Sequence, residues 1–180
     1  MPFTPFHFGP GAAIKAALGK HFSFTVFCFA QVATDCETAY YLWQGEYPLH
    51  RFCHTYVGAT LVGAGSVVIG RPICQLALRI VRDWAQPGRQ PRAPLVIPLG
   101  AAVAGAFIGT YSHVVLDSIM HADMTPLMPF SRANSLYELV STPTLHAWCV
   151  GLGFFGMLWA AVAYRRATSV SKRSTDSGEF

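Results

Sequence analysis

Charge is scarce in this sequence. Only 12% of its residues are Asp, Glu, Lys or Arg, against about 25% in ordinary soluble domains. Most of the thirteen basic residues fall in residues 71–92 and 165–173. The apolar blocks between them are nearly free of charge, a membrane pattern rather than a nucleic-acid one. Cysteine excludes further chemistry. The five, at positions 28, 36, 53, 74 and 149, are odd in number and contain no C-x-x-C spacing, which points to neither a thiolate zinc site nor a complete disulfide framework. Cys36 and Cys53 stand beside candidate ligands, but free Cys is ordinarily a small buried filler. P-loop, H-E-x-x-H and G-x-S-x-G patterns are missing. Gly151, Gly153 and Gly156 fit G-x-G-x-x-G, yet they lie inside an apolar span with no strand before them, so helix packing explains them better than a dinucleotide.

What is present is apolar sequence in about four blocks. A transmembrane helix needs about 20 apolar residues. Residues 145–164 and 95–120 are long enough, and 57–81 is interrupted by Arg71-Pro72, where the missing proline N–H predicts a kink or break. Residues 22–33, FSFTVFCFAQVA, are too short unless the span begins at Gly11 and includes Lys15, Lys20 and His21. A signal peptide is the competing reading, but no small-x-small cleavage site follows, so the segment counts as retained. Residues 82–94 and 125–144 read as a loop and a turn-rich connection. The expected fold is all-α: an integral membrane helical bundle of about four apolar segments, three or four of them spanning. Residues 1–166 form one domain, and 167–180 a basic, Ser-rich disordered tail.

Arg79, Arg82, Arg89 and Arg92 mark one loop, and Arg165, Arg166, Lys172 and Arg173 mark the tail. The positive-inside rule puts both in the cytoplasm, with the protein in the inner (cytoplasmic) membrane. Tracing the segments outward sends three polar clusters to the opposite face: Asp35 with Glu37, His50 with His54, and His113 with Asp117. His7 is the misfit. A span beginning at Gly11 puts it on the cytoplasmic side, unless residues 11–21 lie along the interface or fold back.

His113, Asp117 and His121 fall four apart and, on a helix, share one stripe with Gly105 and Gly109. Two glycines ahead of ligand-type residues suggest close approach to a neighbouring helix, then a polar pocket. A helix end merely reaching water is the plainer reading, although ionisable groups at the end of an apolar span lean functional. Neutral imidazole with carboxylate suits a divalent metal, zinc first, with iron or manganese as alternatives. His54, His113 and Asp117 are the leading ligand candidates and Asp35 a carboxylate partner or bridge. Glu37 and His50 are candidates for general base or ligand orienter, and the set leaves room for two metals. His50 and His54 could instead be interfacial residues at a helix start. Arg51 could bind a phosphate or snorkel. Tyr111 and Ser112 read as packing or hydrogen-bonding groups, and His146 as an interfacial anchor.

The stretch SHVVLDSIMHADMTPLMPFS resembles the S-H-x-x-x-D then P-L-x-P-F-S segment of the membrane-bound metal-dependent hydrolase family. Asp35 and Glu37 stand where that family has P-D-x-D, HRFCHT resembles its H-R-G-x-T-H-S, and His7 looks like its N-terminal histidine. The resemblance implies a metal site built from His7, Asp35, His54, His113 and Asp117. It also implies hydrolysis, with metal-activated water attacking an ester or phosphodiester of a lipid or other membrane-proximal substrate. The alternative is a non-enzymatic membrane protein whose His/carboxylate cluster holds a structural metal or an ion. An open coordination position distinguishes the two.

Overall fold

The computed structural model describes residues 4–86 and 95–176, with side chains from 5 to 86 and 95 to 166. The described residues are mostly helical, with no strand among them. In chain order the helices are α1 (Thr4–Leu18), α2 (Phe24–Gln44), α3 (Tyr56–Gly65), α4 (Arg71–Ala85), α5 (Leu99–Met120) and α6 (Thr142–Asp176). Three helices are long and apolar enough to cross a membrane: Tyr56–Ala85, Leu99–Met120 and Thr142–Arg166. Their outward faces carry large apolar side chains such as Ile80, Phe154 and Leu158, each at least 60% exposed. Lipid-facing helices require such a surface. Helix α6 passes residue 166 and continues to Asp176, so its backbone enters the stretch expected to be disordered. Arg89 and Arg92 of the basic loop lie outside the described residues, as do the side chains of Lys172 and Arg173.

The first apolar segment is not one span from Gly11. The chain turns at Gly19–His21, with Gly19 at φ +52°. Lys15 Nζ closes the turn by donating to Gly19 O (2.7 Å) and Phe22 O (2.8 Å). The cations that a continuous span would have had to bury thus sit at a helix junction, where water can reach them. Ser23 then caps α2 by accepting from the Val26 N–H. This fold-back returns His7 to the same end of the bundle as the C-terminal halves of α2 and α5. Helix α1 is covered by α6, with Phe6 stacked on His146 (4.5 Å) and Gly9 against the Cys149 carbonyl.

Pro72 does not break its helix. The π segment Ser66–Gly70 precedes it, and the wider turn absorbs the absent N–H while the helix continues from Tyr56 to Ala85. At the far end Gln75 Oε1 accepts from Ile97 N–H (2.8 Å) and Arg71 Nε donates to Ile97 O (2.9 Å), tying α4 to the start of α5.

Helices α2 and α5 run side by side in the same direction, and this pair positions the polar end. Ser23 N–H donates to Ala101 O at 2.9 Å, and one turn on, a Cβ on Gly105 would lie 2.4 Å from Ser23 O. A Cβ on Gly109 would stand 3.0 Å from Phe27 O. Without a hydrophobic drive between helices in lipid, such backbone proximity supplies the packing contacts. Gly105→Ala should therefore lower unfolding stability in detergent by roughly 1–3 kcal/mol, the range for overpacking. Gly100→Ala, on the same helix with nothing within 4 Å of its Cβ, should be neutral or gain up to about 1 kcal/mol from helix propensity. Equal effects in thermal melts would contradict the α2–α5 contact.

Candidate metal centre

Asp35 from α2, His54 from the 3-10 turn Phe52–His54, and His113 and Asp117 from α5 meet at one end of the bundle. One donor atom of each lies within 4.8 Å of all the others. His113 Nε2 stands 3.1 Å from Asp35 Oδ1 and 3.0 Å from Asp117 Oδ2; His54 Nε2 stands 3.6 and 3.5 Å from the same two oxygens. Ligands held about 2.0–2.2 Å from a tetrahedral zinc lie roughly 3.3–3.6 Å apart, whereas an N–H···O bond closes to about 2.7–3.2 Å. The His54 distances fit the first spacing and the His113 distances reach the second. His54, His113 and Asp117 are buried and Asp35 is about a quarter exposed.

Hydrogen bonds behind the ligands set the ring orientations. Ser112 Oγ donates to Gly109 O, and Gln31 Nε2 donates to Ser112 Oγ (3.3 Å). That leaves Gln31 Oε1 to accept from His113 Nδ1 at 2.5 Å. The proton is thereby assigned to Nδ1, and the Nε2 lone pair faces the two carboxylates, as metal ligation requires. Gln31, fully buried, was missed in the sequence; its one signal was an amide within an otherwise apolar run.

Glu37 takes a supporting place rather than a ligand's. Its carboxylate accepts from the N–H groups of Phe52 (3.1 Å) and Cys53 (2.8 Å), which shapes the turn carrying His54. Its Oε2 also lies 3.7 Å from His54 Nδ1. His50 and His54 do not share a helix face: α3 begins only at Tyr56, where Thr55 Oγ1 accepts from Gly58 N–H. His50 Nδ1 pairs at 2.9 Å with Asp123 Oδ1, and Asp123 Oδ2 accepts from the N–H groups of Leu49 and His50. Asp123 was not foreseen, because nothing in HADM marks it as the partner of a residue 73 positions earlier. Asp123, His50 and His121 form a second group of metal-type side chains.

His7 comes to the cluster, with Nε2 3.5 Å from Asp117 Oδ1 and Nδ1 3.3 Å from His113 Nδ1. Burial pushes its imidazole down to about 4 despite Asp117, keeping it neutral, the ligand form. At His54 burial also disfavours the cation, but Asp117, Asp35 and Glu37 outweigh it and hold the imidazole up to about 10. The carboxylates thus favour positive charge at this point. His121 follows the last residue of α5, with Nε2 4.0 Å from Asp117 Oδ1 and its ring stacked on His50 at 4.3 Å.

The remaining candidates stand apart. Arg51 pairs with Glu46 (2.7 Å) and lies over the Tyr41 ring. Tyr111 bonds Thr60. Cys36 donates to the Val32 carbonyl, and burial pushes the Cys53 thiol up to about 11, so Cys53 offers no thiolate. A cavity of about 500 Å³ opens onto the cluster at His7, Asp35 and Asp117, with Ala39, Leu42, Leu49 and Met120 among its apolar walls. No protein-family model, curated protein or solved structure matches the chain.

Gln31→Leu keeps every ligand but removes the acceptor that orients His113, so metal affinity should fall about 10–100-fold at unchanged stoichiometry. Titration against a competing chelator measures it, and an unchanged affinity would remove Gln31 from the site. Binding must also displace the proton that the raised His54 value retains. Apparent affinity should therefore rise with pH, by up to about tenfold per unit between about pH 6 and 9. A flat profile in the same titration would show that His54 is not a ligand.

Proposed function

We propose that the chain is a metal-dependent hydrolase of the membrane, cleaving an ester or phosphodiester of a lipid or membrane-proximal substrate. We assign it to the membrane-bound metal-dependent hydrolase family that its motifs resemble. The observation that carries the reading is the cavity: it reaches the carboxylates of the cluster, where a purely structural site would be enclosed by its own ligands. Its mixture of carboxylate, imidazole and apolar wall suits a substrate with a polar scissile group and a hydrocarbon portion.

Asp35, His54, His113 and Asp117 are the cation's ligands in this reading, with zinc the first choice for an N/O set and iron or manganese the alternatives. A divalent cation held there supplies Lewis acidity and lowers the pKa of a water. Gln31 orients the His113 imidazole, and Glu37 shapes the turn that carries His54. Leu42, Leu49 and Met120 keep water from the apolar part of the substrate. His50, held through Nδ1 by Asp123, holds or passes a proton at Nε2 beside the same cavity. The cluster faces away from the cytoplasm if the arginine-rich ends of α4 and α6 face it.

The test is a hydrolysis assay on protein reconstituted into phospholipid vesicles and loaded separately with zinc, iron(II) and manganese. The expected result is release of fatty acid, phosphate or headgroup with at least one metal, falling to background in folded His113→Ala and Asp117→Ala. Bound metal with no cleavage across ester, phosphoester and amide substrates would overturn hydrolysis and leave a non-enzymatic ion-binding protein.

A further inference from the structure

The two oxygens of Asp117 face different partners. Oδ2 is turned to His113 Nε2 and His54 Nε2, the centre already described. Oδ1 is turned to His7 Nε2 at 3.5 Å and His121 Nε2 at 4.0 Å. Each of these three atoms, Asp117 Oδ1, His7 Nε2 and His121 Nε2, is buried without a hydrogen-bond partner. An orphaned buried carboxylate oxygen is unfavourable, and two orphaned imidazole nitrogens facing it call for a common partner. The two separations from Asp117 Oδ1 exceed a hydrogen bond and approach the spacing of ligands around one ion.

We propose that Asp117 bridges two divalent cations, the second held by Asp117 Oδ1, His7 Nε2 and His121 Nε2. The inference rests on the first site, since the bridge needs an ion at Oδ2. All three residues line the cavity, so the second ion has open positions on that side. His7 Nε2 stands 3.5 Å from Asp117 Oδ1 without forming a hydrogen bond to it, which leaves that nitrogen to a cation. The group of His50, His121 and Asp123 is a weaker host, because both Asp123 oxygens are already engaged by His50 and by two backbone N–H groups. Two cations sharing a carboxylate suit a phosphoester, whose attacking and leaving oxygens each gain an ion. Within the ester and phosphodiester reading this favours a phosphoester over a carboxylic ester.

Metal-stripped protein titrated with manganese(II), with bound ion counted by mass spectrometry, tests the bridge. Wild type should bind two per chain, His7→Ala and His121→Ala one each, and Asp117→Ala none. Because a variant can fail to fold, the wild type is also read by electron paramagnetic resonance, where a carboxylate-bridged pair gives an exchange-coupled manganese spectrum. One ion per chain with an uncoupled spectrum would overturn the bridge and leave the first site standing. Two ions retained in both histidine variants would place the second ion elsewhere and overturn the assignment. No bound ion would overturn both this inference and the hydrolase reading.

Discussion

Asp117 is the constraint on which the polar end of the molecule depends. An ionised carboxylate at the end of an apolar helix, 2% exposed, must find compensating positive charge or donors, because burying it alone would cost several kcal/mol. Hydrogen-bond donors do not meet the need, since one of its oxygens has none. Four histidines from four segments approach it instead. The sharp turn after α1, the 3-10 turn before α3 and the extended residue after α5 each bring one of them within reach. The glycine contacts of α5 with α2 then set the distance from Asp117 to Asp35.

Support extends outward in layers of hydrogen bonds. Gln31 and Ser112 fix one imidazole, Glu37 shapes the turn that carries another, and Asp123 holds His50 at the cavity wall. Each supporting group spends its hydrogen bonds away from the centre. Lone pairs and carboxylate oxygens are left converging on one point, the arrangement expected of a preorganised cation site.

Much of this was legible in the sequence, for identifiable reasons. The helical class followed from long apolar runs, and the meeting of Asp35, His54, His113 and Asp117 followed from tracing those runs back and forth. The Gly105–Gly109–His113–Asp117 stripe worked because a regular helix converts spacing directly into a face. Where the backbone departs from regular helix, the reading weakened. Spacing could not choose between a span from Gly11 and a fold-back, because a turn at Gly19 has no periodic signature; the fold-back that forms returns His7 to the site. At Pro72 a kinked helix and two separate pieces both stood open, because a π segment upstream cannot be anticipated from spacing. Gln31 and Asp123 were missed because their partners lie 82 and 73 residues away, a proximity that only the folded chain creates.

The central claim is that imidazole and carboxylate groups, without cysteine, hold a divalent cation at this end of the bundle. X-ray absorption at the zinc edge of purified, zinc-loaded protein tests it most directly. The account predicts a shell of nitrogen and oxygen at about 2.0–2.2 Å with imidazole outer-shell scattering. A sulfur shell near 2.3 Å, or a spectrum of fully hydrated zinc, would contradict it.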